Sequence, residues 1–216
     1  MKNFNYLIYF SLVFLLTSCA VGRKISYQNE NTLLLYKPSK SIIVTFYDQR
    51  EEIVNGKENP SFSGHLNATL QIPYNINTQS GNTLAQDFAK SVSNAISKQT
   101  QQSIVITLAH ADSITKALKA LQNSEYDLLL LFTIHKWKND AVPGFSNIHY
   151  QSIGDFELNI FDKKENIIAN AHAKDILEFK KDLAVNIKTM QKMSDDLFSK
   201  LILELFNNNQ IRKAID

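Results

Sequence analysis

Hydrophobic residues recur along this chain with two periods, and each stretch of one period ends at a turn signal. Ile42-Ile43-Val44-Thr45-Phe46-Tyr47 is rich in β-branched and aromatic side chains and stops at Asp48-Gln49-Arg50, which predicts a central strand. Residues 51–64 carry Asn55-Gly56, Asn59-Pro60 and Gly64 and read as turns. Leu66, Ala68, Leu70 and Ile72 then alternate with polar neighbours, so residues 65–74 read as one strand ending at an edge, where Pro73 removes a ladder donor. Leu84, Phe88, Val92, Ala95 and Ile96 recur at three and four residues and predict a helix over 83–99 capped by Asn82. Ile104-Val105-Ile106 supplies a strand within 103–109, and Asp112 caps a second helix with Ile114, Ala117, Leu118 and Leu121 on one face.

The second half is more strongly patterned. Leu128-Leu129-Leu130-Leu131-Phe132-Thr133-Ile134 is apolar on both faces, as a buried central strand requires, and alternation returns at His135, Lys136, Trp137 and Lys138, which predicts an exposed strand end. After the Pro143-Gly144 turn, residues 148–161 alternate, with Tyr150, Ser152, Phe156, Leu158 and Ile160 sharing one parity. Residues 162–166 form a hairpin loop, and 167–177 return as a strand whose Ala169, Ala171 and Ala173 leave room for whatever packs above. From 182 to 207, Leu183, Ile187, Met190, Leu197, Leu201 and Leu205 repeat at helical spacing, widened by Phe198 and Ile202. The predicted class is α+β (mixed α/β): one central β-sheet, two helices in the first half, a three-strand antiparallel meander, and a long C-terminal helix packed on the sheet.

The N-terminus follows other rules. Lys2 precedes an uncharged apolar run over 6–16, and the small residues Thr17 and Ser18 follow it, the order of a secretory signal. The run is about half the ~20 residues a spanning helix needs. The chain's one cysteine, Cys19, comes next; in an exported protein it would have no disulfide partner. Leu16-Thr17-Ser18-Cys19 resembles the lipobox of bacterial lipoproteins. That resemblance implies cleavage before Cys19, a diacylglyceryl thioether on its sulfur and acylation of the new amine. Several acyl chains hold a protein on a membrane far more firmly than one. Ala20 stands where inner-membrane lipoproteins often carry Asp, which favours the outer membrane.

The expected organisation is therefore a cleaved signal over 1–18, a lipidated polar tether over 19–40 with a short edge strand at Leu33-Leu34-Leu35-Tyr36, and a single periplasmic domain over 41–216. Fully extended, a tether of that length would reach roughly 70 Å. A formal charge of +2 and a pI near 8.5, with acids interspersed among the lysines, make no case for nucleic acid as a partner.

The strand ending in Asp48-Gln49-Arg50, and a helix, strand and helix leading to Asp127-Leu128-Leu129-Leu130, resemble the YajG-like family of bacterial lipoproteins over residues 41–206. The resemblance implies a mixed α/β outer-membrane lipoprotein without assigned catalytic residues; the loop over 51–80 is longer than the family's pattern.

Candidate chemistry is sparse. Asp48 and Arg50 share a strand face and are expected either to pair locally or to contact a ligand carboxylate or phosphate. His135, His149 and His172 fall on predicted strands, but their spacing is irregular and no Cys or HExxH pattern supports a metal. There is no GxSxG motif and no glycine-rich phosphate loop among six glycines, so neither catalysis nor a cofactor is expected. Trp137 and Phe145, near the Pro143-Gly144 turn, are candidate aromatic anchors for a partner, with a strand-end Trp shielding the core as the alternative for Trp137. The expected function is a non-catalytic binding or scaffolding lipoprotein in cell-envelope assembly or maintenance. It would be joined to the membrane through Cys19 and to an envelope protein partner, in an oligomeric state left open. The alternative is a carrier of a lipid or small amphiphile.

Overall fold

The computed structural model describes residues 23–27, 38–67, 73–100, 103–109, 112–181 and 184–216. The strands are β1 (Lys24–Ile25), β2 (Ile42–Asp48), β3 (Phe62–Asn67), β4 (Pro73–Thr78), β5 (Ser103–Val105), β6 (Leu128–Pro143), β7 (Ile148–Phe161) and β8 (Ile167–Lys181). The helices are α1 (Glu51–Val54), α2 (Leu84–Thr100), α3 (Ile114–Gln122), α4 (Ile187–Asn207) and α5 (Asn209–Ile215). The fold is mixed α+β, as the hydrophobic pattern predicts.

β6 is the spine. One of its edges pairs antiparallel with β7 from Leu129 to Pro143, and β7 pairs in turn with β8, completing the meander. Its other edge is shared by two parallel strands in succession. β2 takes Leu128 to Ile134, and β3 takes Asn139 to Ala141. β5 extends the sheet beyond β2, whereas β4 and then β1 extend it beyond β3. The sheet therefore forks along one edge of its longest strand.

Because β2 and the first half of β6 lie at the centre, both of their faces are covered. Val44, Phe46, Leu130 and Phe132 join the main core with α2, α4 and α5, while Ile43, Leu129 and Leu131 pack on the other face against Ala117 and Leu121 of α3. This explains why 128–134 is apolar at every position but Thr133. The long helix α4 lies on β7 and β8 through Met190, Met193, Leu197, Leu201 and Leu205, as its periodicity predicts. It starts at Ile187, where the Asn186 side chain accepts from Lys188 N at 2.9 Å. Helix α2 opens on a capping box: Thr83 Oγ1 accepts from Gln86 N and Gln86 Oε1 from Thr83 N, so Thr83 rather than Asn82 is the cap.

Three expectations are corrected. The single strand predicted over 65–74 is the facing ends of two antiparallel strands, with Asn67 opposite Pro73; residues 68–72 lie outside the description. The tether predicted over 19–40 is built into the domain at residues 23–27, where β1 pairs parallel with β4 and Ile25 and Tyr27 are buried. The strand at Leu33-Leu34-Leu35-Tyr36 lies outside the described residues. Finally, β6 does not end at Lys138 but runs five residues further, to Pro143, with His135 and Lys136 exposed as expected and Trp137 buried.

Candidate functional site

Asp48 and Arg50 sit where the sheet forks. Beyond Ile134 the edge of β6 has lost β2 and has not yet met β3, so its backbone there needs other partners. Gln49 N donates to Ile134 O at 3.0 Å, and Arg50 Nη1 donates to Trp137 O at 3.4 Å and to Phe62 O at 2.7 Å. The rest of the guanidinium faces Asp48, with Nε on Oδ1 at 2.9 Å and Nη2 on Oδ2 at 2.8 Å. Arg50 is fully buried and Asp48 nearly so. The pair is thus a local ion pair, and the idea that it contacts a ligand is corrected: these donors are turned onto carbonyls and one carboxylate inside the fold.

Trp137 is also corrected. It is fully buried, with its ring stacked on Phe156 and edge-on to Phe88. The cause is a β-bulge between Ile134 and Lys136. One extra residue, His135, exchanges the two faces of the strand: Leu130, Phe132 and Ile134 point into the main core before it, and Trp137 and Ala141 do so after it. Gly154 on β7 makes room, since a Cβ there would lie 2.4 Å from Leu201 Cδ1 and 3.1 Å from Trp137 Cζ3.

The bulge also delivers Trp137 Nε1 to the phenol of Tyr27, at 3.0 Å. Asn139 Nδ2 and Ser194 Oγ donate to the same oxygen at 3.0 and 3.2 Å, and Ser63 Oγ bonds it as well. Ser152 Oγ closes the network on Asn139 Oδ1. Burial pushes the Tyr27 phenol up, against hydrogen bonds from Ser194, Ser63 and Trp137 that lower it, so it stays neutral. The segment around it is held just as firmly. Gln191 clamps Ser26 through both backbone groups, and Arg23 lies 3.9 Å over the Tyr74 ring. Sequence reasoning missed this network. Tyr27 stands in a polar stretch without periodicity, and only the bulge makes Trp137 its neighbour.

Phe145, by contrast, is fully exposed at the tip of the β6–β7 loop. It lines a surface depression of about 380 Å3 with Pro143, Ile148, Leu66, Val185 and Arg23. Other clefts, of about 330 and 420 Å3, flank the start of α4 and are edged by Lys188, Lys192 and Asp196.

The outer face of the meander is open and charged. His135 and His172 lie side by side, ring centroids 6.4 Å apart, on Glu157 (3.2 Å) and Asp155 (2.8 Å), while His149 stands near the far end of β7, 3.8 Å from Glu178. Burial raises the Asp155 carboxyl, but hydrogen bonds from His172 and Lys174 outweigh it and hold the group below the usual carboxylate range. Asn159 and His135 do the same for Glu157. Among the described residues no group of three or more His, Cys, Asp or Glu could hold a metal ion, and no helix is long and apolar enough to cross a membrane. Cys19 lies outside the described residues.

No protein-family model and no curated protein matches the chain. Among solved structures the chain is similar to a neuraminyllactose-binding hemagglutinin homolog from Helicobacter pylori, with 11% identity and a TM-score of 0.45 over 89% of this chain and 96% of that one. It is similar to an uncharacterized protein, with 12% identity and a TM-score of 0.42 over 88% and 98%. A PelC dodecamer from Paraburkholderia phytofirmans gives 10% identity and a TM-score of 0.36 over 78% and 88%. Likenesses this remote carry no argument about function.

Proposed function

We propose that this chain is a YajG-like bacterial lipoprotein, anchored to the outer membrane through Cys19 and facing the periplasm, with a non-catalytic binding or scaffolding role in cell-envelope assembly or maintenance. The observation that supports this reading best is the lock on residues 23–27. Immediately after the lipobox cysteine, the chain is paired into the sheet at Lys24–Ile25, clamped at Ser26 and buried at Tyr27. A domain built around the root of its own anchor holds its surface in a fixed place at the membrane, which is what a scaffold does.

Packing favours this reading over an amphiphile carrier. A carrier needs space between α4 and the sheet, and Met190, Leu197, Phe198, Leu201 and Leu205 fill it along most of the helix, leaving a cleft of about 330 Å3 at the edge between Phe179 and Lys181 of β8 and Lys188 and Lys192 of α4. In-cell crosslinking and pull-down of the lipidated chain beside Cys19→Ser tests the proposal. Protein partners captured only by the tethered form are the expected result; co-purified lipid without partners would refute the scaffold.

A further inference from the structure

The pairing of Lys24–Ile25 into the sheet bears on how the domain meets the lipid. Three residues lie between Cys19 and Arg23, so if Cys19 is the anchor, Arg23 can stand no more than four steps of chain, about 14 Å, from the modified residue. A tether ending at residue 40 would have left the domain free to tumble. One ending at Arg23 leaves one end of the sheet against the bilayer.

That end is identifiable. The Arg23 carbonyl accepts from Asn77 N, and its side chain reaches back along β4, over the Tyr74 ring, into the depression lined by Leu66, Asn67, Pro143 and Phe145, at the end where β3 ends, β4 begins, β6 ends and β7 begins. Phe145 projects from this end with its whole side chain in water, beside the exposed Val142. An aromatic ring and a β-branched side chain at a loop tip gain by entering the interfacial layer of a bilayer. Arg23 lines the same depression, Lys180 and Lys181 stand opposite His149 and Ile148, and the exposed Lys24, Lys188 and Lys192 edge the clefts beside the start of α4, with Glu178, Asp195 and Asp196 as the acids nearby. On a chain whose net charge is only +2, this local excess of cations suits anionic phospholipid headgroups.

We infer that the Phe145 loop is a membrane-contacting tip: it inserts into the phospholipid leaflet that carries the Cys19 anchor, with the flanking lysines on the headgroups and the long axis of β6–β8 rising away from the surface. This rests on the lipoprotein reading above. The opposite end, with the 162–166 hairpin, would then stand roughly 45 Å away along β7, presented to the periplasm.

The test uses the full lipidated chain, reconstituted in vesicles of phosphatidylethanolamine and phosphatidylglycerol with brominated acyl chains. Phe145→Trp reports the tip and Lys164→Trp the far end, each against the buried Trp137 of the wild type; both exchanges are at exposed positions and leave the core untouched. The expected result is blue-shifted emission from the tip indole, quenched roughly three-fold or more beyond the Lys164→Trp signal. Intact mass is read on the same samples. If Cys19 is acylated and the tip indole reports water like the far end, the loop faces solvent or a protein partner and this inference falls while the anchor stands. If Cys19 carries no acyl group, both fall.

Discussion

Trp137 Nε1 lies 3.0 Å from the Tyr27 phenol oxygen, and this contact joins the segment over 23–27 to the middle of the longest strand. Tyr27→Phe keeps the ring and removes the oxygen, leaving the buried Trp137 Nε1 and Ser194 Oγ without the acceptor they share, while Asn139 Nδ2 keeps its bonds to Ser63. We expect a loss of about 1–3 kcal/mol in denaturant unfolding, the cost of unsatisfied buried groups. A change under about 0.5 kcal/mol, the size of an ordinary surface substitution, would show that the network does not hold the segment.

The Asp48–Arg50 pair makes a different prediction, because each partner neutralises the other in a dry site. Arg50→Met strands a buried carboxylate and frees Phe62 O and Trp137 O, and should cost about 3–5 kcal/mol. Asp48→Leu with Arg50→Met removes both charges and should cost clearly less than the sum of the single changes. Additive losses would mean that the two side chains act independently.

Gly154→Ala places a methyl group 2.4 Å from Leu201 Cδ1, so overpacking of about 1–3 kcal/mol is expected. Leu201→Ala should relieve most of that strain. The double-mutant cycle measures the coupling, and none would contradict the close approach of α4 and β7 over Trp137.

The outer face supplies a pH dependence. The Asp155 carboxyl titrates lower in the folded protein than in the unfolded chain, because His172 and Lys174 outweigh the effect of burial. Its contribution is therefore complete above the unfolded value of about 4 and is lost as pH falls through the lower folded value. Stability measured between pH 7 and pH 3 should fall at the acid end, and Asp155→Asn should flatten that fall. Parallel acid limbs for the two proteins would remove Asp155 from the account.

The architecture was legible in the sequence wherever one period persisted. The run 128–134 announced a strand buried on both faces, the parity of Tyr150, Phe156 and Leu158 announced β7, and the stripe from Met190 to Leu205 announced α4. What stayed hidden depends on events that break a period or have none. A single inserted residue, His135, sends Trp137 inward, where strict alternation in phase with Leu130, Phe132 and Ile134 would point Lys136 and Lys138 into the core and Trp137 out. A two-residue strand such as Lys24–Ile25 is too short to show alternation. The burial of Arg50 follows from two strands sharing one edge of β6, a tertiary fact that local spacing does not encode. Thr83-x-x-Gln86 is a capping box legible in the sequence, with Asn82 beside it as a competing cap residue.

The central claim is that the domain is a lipoprotein rooted at Cys19, and the most direct measurement is the intact mass and N-terminal sequence of the mature chain recovered from bacterial membranes. The account predicts a chain that begins at Cys19 and carries a thioether-linked diacylglyceryl group and an N-acyl chain, with the modification lost in Cys19→Ser. A mature chain that retains residues 1–18, or one that carries Cys19 as a free thiol, would contradict it.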